Sequence, residues 1–95
     1  MQCRWRYETI IDDRDLHILY TALQKHKDEY DYYPLVVAKR DEAGSNYRFL
    51  CIAALKTKPE YASHLAEIGV YVPPAGKPYA TCLYRRDFDQ IFPYW

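Results

Sequence analysis

Thr57-Lys58-Pro59-Glu60-Tyr61-Ala62-Ser63-His64-Leu65-Ala66-Glu67-Ile68-Gly69-Val70-Tyr71-Val72 is the stretch whose reading decides the fold. Its first four residues match a capping box, in which the Thr57 hydroxyl and the Glu60 carboxylate satisfy each other's exposed backbone donors. Proline is tolerated in a first helical turn. Tyr61, Leu65 and Ile68 recur at helical spacing, and Gly69 is well placed as a C-terminal stop. Read this way, the stretch predicts a helix over 58–68, followed by a short strand or extended run at Val70-Tyr71-Val72.

Upstream, residues 3–11 alternate, with Cys3, Trp5, Tyr7, Thr9 and Ile11 on one side and Arg4, Arg6 and Glu8 on the other; only Ile10 breaks the pattern. Period two reads as a half-buried strand. Asp12 and Asp13 offer an N-cap, and Leu16, Leu19, Tyr20 and Leu23 predict a helix from about 13 to 27. After the acidic, tyrosine-rich residues 28–33, Pro34 disfavours helix, and Leu35-Val36-Val37-Ala38 has strand composition. A turn over 41–46 leads to a third strand over 47–55, apolar on both faces except at Arg48, so strands two and three form a hairpin. Downstream, 73–78 is a stiff proline-rich loop, 79–84 the last full strand and 87–92 a terminal turn before Pro93-Tyr94-Trp95.

The order strand, helix, strand, strand, helix, strand is that of the ferredoxin-like split βαβ fold, an α+β class with two helices on one face of a four-stranded antiparallel sheet. A cystatin-like roll, one helix wrapped by an antiparallel sheet, is the alternative. In that case 56–69 would be an appended segment and 70–84 a hairpin.

A chain of 95 residues is one domain, residues 1–95, with 49% hydrophobic and 27% charged content. That is an ordinary globular composition. Thirteen basic and thirteen acidic side chains cancel, which excludes strong net steering toward phosphate backbones or acidic membranes. No apolar run reaches membrane-spanning length, and the N-terminus lacks the apolar core of a secretion signal. Cys3, Cys51 and Cys82 are odd in number and widely spaced, which fits reduced thiols in a cytoplasmic setting.

Chemistry-bearing patterns are sparse. His17, His26 and His64 lack metal-ligand spacing, so no metal or cofactor is expected. In the ferredoxin-like order the strands bearing the three cysteines would be neighbours, yet buried cysteine as core filler explains the same positions. No nucleophile has a base or oxyanion donors nearby in sequence, and the paired carboxylates at Asp12-Asp13, Asp28-Glu29, Asp41-Glu42 and Asp87-x-Asp89 fall at element ends, where acids cap and solvate. The expectation is therefore a protein that is not an enzyme.

Asn46-Tyr47-Arg48-Phe49-Leu50-Cys51-Ile52 resembles the third strand of the RNA recognition motif in Tyr47, Phe49 and Leu50. It departs from it at Arg48, at Ile52 and in lacking a preceding basic-glycine pair. That resemblance implies an open sheet face with Tyr47 or Phe49 available for stacking. Independently, if Trp5 and Tyr7 face the helices, alternation puts Arg4 and Arg6 on the open face, where Arg48 can join them, and the set would bind single-stranded nucleic acid or a nucleotide weakly. Ala43-Gly44-Ser45-Asn46-Tyr47 resembles a cystatin hairpin, but Arg40-Asp41-Glu42 does not reproduce the inhibitory loop, so protease inhibition is not implied.

Eleven tyrosines with three phenylalanines and two tryptophans favour recognition over catalysis. The leading expectation is a small binding module that occludes or bridges a protein partner, as an inhibitor, adaptor or immunity-type factor, or that forms a homodimer. Its candidate contact residues are Tyr30, Tyr32, Tyr33, Arg85, Arg86, Tyr94 and Trp95.

Overall fold

A computed structural model describes residues 5–26, 28–41 and 43–86, with the backbone alone for 59 and 61–63. The chain forms β1 (Arg6–Glu8), α1 (Asp13–Leu23), β2 (Tyr30–Asp41), β3 (Ser45–Leu55), β4 (Lys58–Val72) and β5 (Tyr79–Arg86). Every strand is antiparallel to its neighbour in one five-stranded sheet of order β1-β2-β3-β4-β5.

The ferredoxin-like arrangement is therefore wrong, because the helix expected over 58–68 is part of the longest strand. Tyr61, Leu65 and Ile68 do fit a helical stripe, but Ala66, Ile68, Val70 and Val72 also alternate with Leu65, Glu67, Gly69 and Tyr71. Period two runs unbroken through the end of β4. Tertiary demand decides between the two periods: β3 is buried on both faces and needs a strand on each side. Lys56 and Thr57 make the turn, with Leu55 opposite Lys58, so Thr57 and Glu60 belong to a hairpin and not to a capping box.

Among the described residues one helix lies against the antiparallel sheet, and 56–69, which the cystatin-like alternative made an appendage, is instead built into the sheet. It lies between β3 and β5. The tyrosine-rich segment read as a connector is the start of β2, and α1 ends at Leu23, short of the expected 27.

Gly69 has a different role from the stop signal expected of it. Opposite it, β5 carries a bulge: Cys82 pairs with Gly69 and Ala80 with Val70, leaving Thr81 extra. Both bulge side chains lean over the glycine, so a Cβ there would meet Cys82 Sγ and Thr81 Oγ1 at 2.7 Å.

α1 is capped reciprocally, since the Asp15 N–H donates to Asp12 Oδ1 at 2.8 Å and the Asp12 N–H to Asp15 Oδ2 at 3.3 Å. Its buried stripe is Asp15, Ile18, Leu19 and Ala22, rotated from the stripe read in the sequence; Tyr20 is 44% exposed. Ile18, Leu19 and Ala22 pack on Val37, Phe49, Cys51 and Ile68 of the sheet. Asp15, 2% exposed, is paired with Lys39 Nζ at 2.9 Å, and the same ammonium reaches Glu8 Oε2 at 3.1 Å. One cation thereby ties β1, α1 and β2 together.

Gly69→Val should destabilise the fold by about 1–3 kcal/mol through overpacking. Adding Cys82→Ala should recover part of that loss in urea denaturation. Lys39→Met, which strands the buried Asp15 carboxylate, should cost about 3 kcal/mol. Arg6→Ala, which breaks a pair with Asp41 whose side chains are 60% and 68% exposed, should cost under about 1 kcal/mol.

Candidate binding surface on the open sheet face

Strand parity sorts the sheet into two faces. Val37, Tyr47, Phe49, Cys51, Ala66, Ile68 and Val70 lie under α1. The opposite face is built in rows set by the pairing register: Tyr33, Ile52, Leu65 and Arg86; Val36, Leu50, Glu67 and Tyr84; Tyr7, Ala38, Arg48, Gly69 and Cys82; then Arg40, Asn46, Tyr71 and Tyr79. Trp5, one residue before β1, places its ring beside the last row. No described helix covers this face.

Its centre holds a second small core of Leu50 and Leu65 with Val36 and Ile52 against them. Beside it, Glu67 is 7% exposed and sits between two guanidinium groups, with Arg48 Nε at 2.8 Å from Oε1 and Arg86 Nε at 2.9 Å from Oε2. A carboxylate held this way lets both arginines lie flat on the sheet at fixed positions. Arg48 also donates to the Tyr7 hydroxyl at 3.3 Å, and the Trp5 ring lies 4.7 Å from the Arg40 guanidinium and 5.1 Å from that of Arg48. Arg86 lies over the Tyr84 ring at 4.8 Å. Around this frame Tyr7, Tyr33, Tyr79 and Tyr84 are 48%, 48%, 52% and 50% exposed.

The residues named from sequence separate accordingly. Tyr33, Arg85 and Arg86 are at the surface. Tyr32 is 6% exposed, its hydroxyl donating to Asp28 and its carbonyl accepting from the Tyr20 hydroxyl at 3.2 Å, so it belongs to the core. Tyr30 packs against the core, its ring 4.9 Å from that of His64 at a near-perpendicular angle. Tyr94, Trp95, Arg4 and Cys3 lie outside the described residues.

The nucleic-acid set does not assemble. Arg48 is on the open face, whereas Tyr47 and Phe49 are buried beneath α1, and Arg6 turns to the helix side to pair with Asp41 at 3.1 Å. The reason is parity: Trp5 and Tyr7, expected to face helices, face the other way and carry Arg6 inward with the opposite phase. Trp5, Tyr7, Arg40, Glu67 and Tyr84 went unselected. The alternation of 65–72, once read as strand, would have put Glu67 beside Arg48.

Cys51 and Cys82 sit on opposite faces and do not cluster. Burial pushes the Cys51 thiol up to about 12, which keeps it protonated near neutrality. Among the described residues no group of three His, Cys, Asp or Glu side chains is placed to hold a metal, and no helix is long and apolar enough to cross a membrane.

Beside the end of α1, Asp28 is a hydrogen-bond hub for Tyr32, the Tyr30 N–H and His26 Nε2, and an open groove runs past Tyr20, His26, Tyr30 and Lys56. Against the Tyr30 ring, the buried Nδ1 of His64 has no partner among the described residues. Burial, with the Arg85 charge adding to it, holds the imidazole below its ordinary 6.5.

Compared with known proteins, the chain matches no protein-family model, and no curated protein is significantly similar to it.

Because the unfolded chain takes up the His64 proton first, the stability carried by the neutral ring is full above about pH 6.5 and falls as pH drops below it. Unfolding free energies measured from pH 7.5 to 5 should show this decline in the wild type. His64→Phe, which keeps a ring against Tyr30, should flatten it.

Proposed function

We propose that this chain is a small binding module that engages a protein partner through the open face of its sheet, by occlusion or bridging and without chemistry of its own. The observation that supports this most is the ring of half-exposed tyrosines, Tyr7, Tyr33, Tyr79 and Tyr84, around arginines held flat by Glu67 and Trp5. Tyrosine supplies contact area at low conformational cost. Arginine fixed in advance loses little further freedom on binding. The surface is also rigid, since it stands on hydrogen-bonded strands.

An intracellular setting is part of the proposal, supported by the free thiols of Cys51 and Cys82. The inhibitor or adaptor reading favoured by composition is kept, with the contact set moved from Tyr30 and Tyr32 to Tyr7, Tyr33, Tyr79 and Tyr84.

Photo-crosslinking amino acids at Tyr33, Tyr84 and, as a control on the exposed side of α1, His17 test the surface. The expected result is one protein adduct shared by Tyr33 and Tyr84 and absent from His17. Tyr7→Ser and Tyr84→Ser should each weaken that partner's binding by about tenfold or more while leaving Tm nearly unchanged. Equal labelling from His17, or binding of a single-stranded oligonucleotide that weakens steeply with salt, would overturn the reading.

A further inference from the structure

The sheet has two sides on which it can grow, and they are defended differently. β1 covers only Val37 to Lys39 of β2, and the remaining open stretch of β2 holds Pro34 and a register shift between Pro34 and Val36. Both features obstruct an added strand. At the other side β5 has one strand neighbour among the described residues, β4. Its bulge lies at Thr81, so from Cys82 to Arg86 the pairing is regular and free of proline.

Charge selects what fits there. β5 contains no acidic residue and ends in Arg85 and Arg86, which point to opposite faces of the sheet by alternation. Arg85 is exposed and enters no ion pair among the described residues, while Arg86 is held on the open face by Glu67 at 2.9 Å. A strand laid along 82–86 would thus meet a cation on each face near one end. A second copy of β5 in antiparallel register centred on Tyr84 would bring Arg85 diagonally against its own symmetry mate, about 7–8 Å away, which like charges oppose.

We propose that β5 is a docking edge for an extended, acidic segment of the partner, which adds as a sixth strand and sets carboxylates against Arg85 and Arg86. This rests on the protein-binding reading and specifies the element recognised. Main-chain hydrogen bonds to 82–86 would supply register and affinity, and the two arginines would supply the preference for acid. Such a strand would also bring its own side chains beside Tyr84, extending the open face.

The test uses the whole chain and two short synthetic peptides of alternating valine and charged residues, one with glutamate and one with lysine. Amide hydrogen exchange and chemical-shift titration read the outcome. Expected are slowed exchange at backbone amides within 82–86, binding of the glutamate peptide in preference to the lysine peptide, and about fivefold weakening by Arg85→Glu, the effect of one exposed ion pair. Equal binding of both peptides overturns the inference, as does protection of β5 that grows with protein concentration alone, which would mean a second copy. A partner that cross-links at Tyr33 and Tyr84 yet leaves the β5 amides unprotected overturns it too, while the open-face reading stands.

Discussion

The pairing of β3 with β4 is the constraint on which the rest of the structure hangs. The turn at Lys56 and Thr57 starts the hairpin, register shifts on either side of Ala54 follow it, and from Ala53 opposite His64 onward a regular ladder fixes which residues of both strands face the helix. Phe49, Cys51, Ile68 and Val70 go under α1; Leu50, Glu67, Arg48 and Gly69 go to the other side. A slip of β4 by one residue against β3 would turn Glu67 beneath the helix, away from Arg48 and Arg86, and put Ile68 and Val70 in water, a loss of several kcal/mol in apolar burial alone.

Given that register, the charged side chains divide into two frames with different purposes. On the helix side Lys39 joins Asp15 and Glu8, anchoring the first turn of α1 to the sheet. On the open side Glu67 joins Arg48 and Arg86 across β3, β4 and β5. The first frame is centred on the buried Asp15 and holds the layers together. The second is only partly covered and presents guanidinium groups and tyrosines outward.

Much of this was legible in residues whose local and tertiary preferences agree. Asp12 and Asp13 marked the helix start, Pro34 excluded helix after the tyrosines, and 47–55 read correctly as a strand apolar on both faces, with Cys51 as core. The error lay where two periods fit the same letters. Tyr61, Leu65 and Ile68 satisfy helical spacing while 65–72 satisfy strand alternation, and only the need of β3 for a second neighbour separates them. That one misreading propagated. Without β4, the faces of β1 and β3 could not be phased, so Trp5 and Tyr7 were assigned inward, Arg6 outward, and Glu67 was overlooked. Tyr32 illustrates a second limit: its burial depends on the bulge after Pro34, which no local pattern announces.

The nearest-neighbour strand order also bears on how the chain reaches this state. From β2 onward each strand lies beside the one made just before it, joined by a short turn or loop, and only α1 intervenes between β1 and β2. Folding can therefore begin as a hairpin at Lys56 and Thr57 and grow outward in both directions, each step closing a short loop, with no strand threaded between two already paired. A sheet assembled in this way has low sequence separation between contacts for a protein so rich in strand, which favours fast folding. Its last-added member on the C-terminal side among the described residues is β5, so the edge proposed for docking is also the growing end of the sheet.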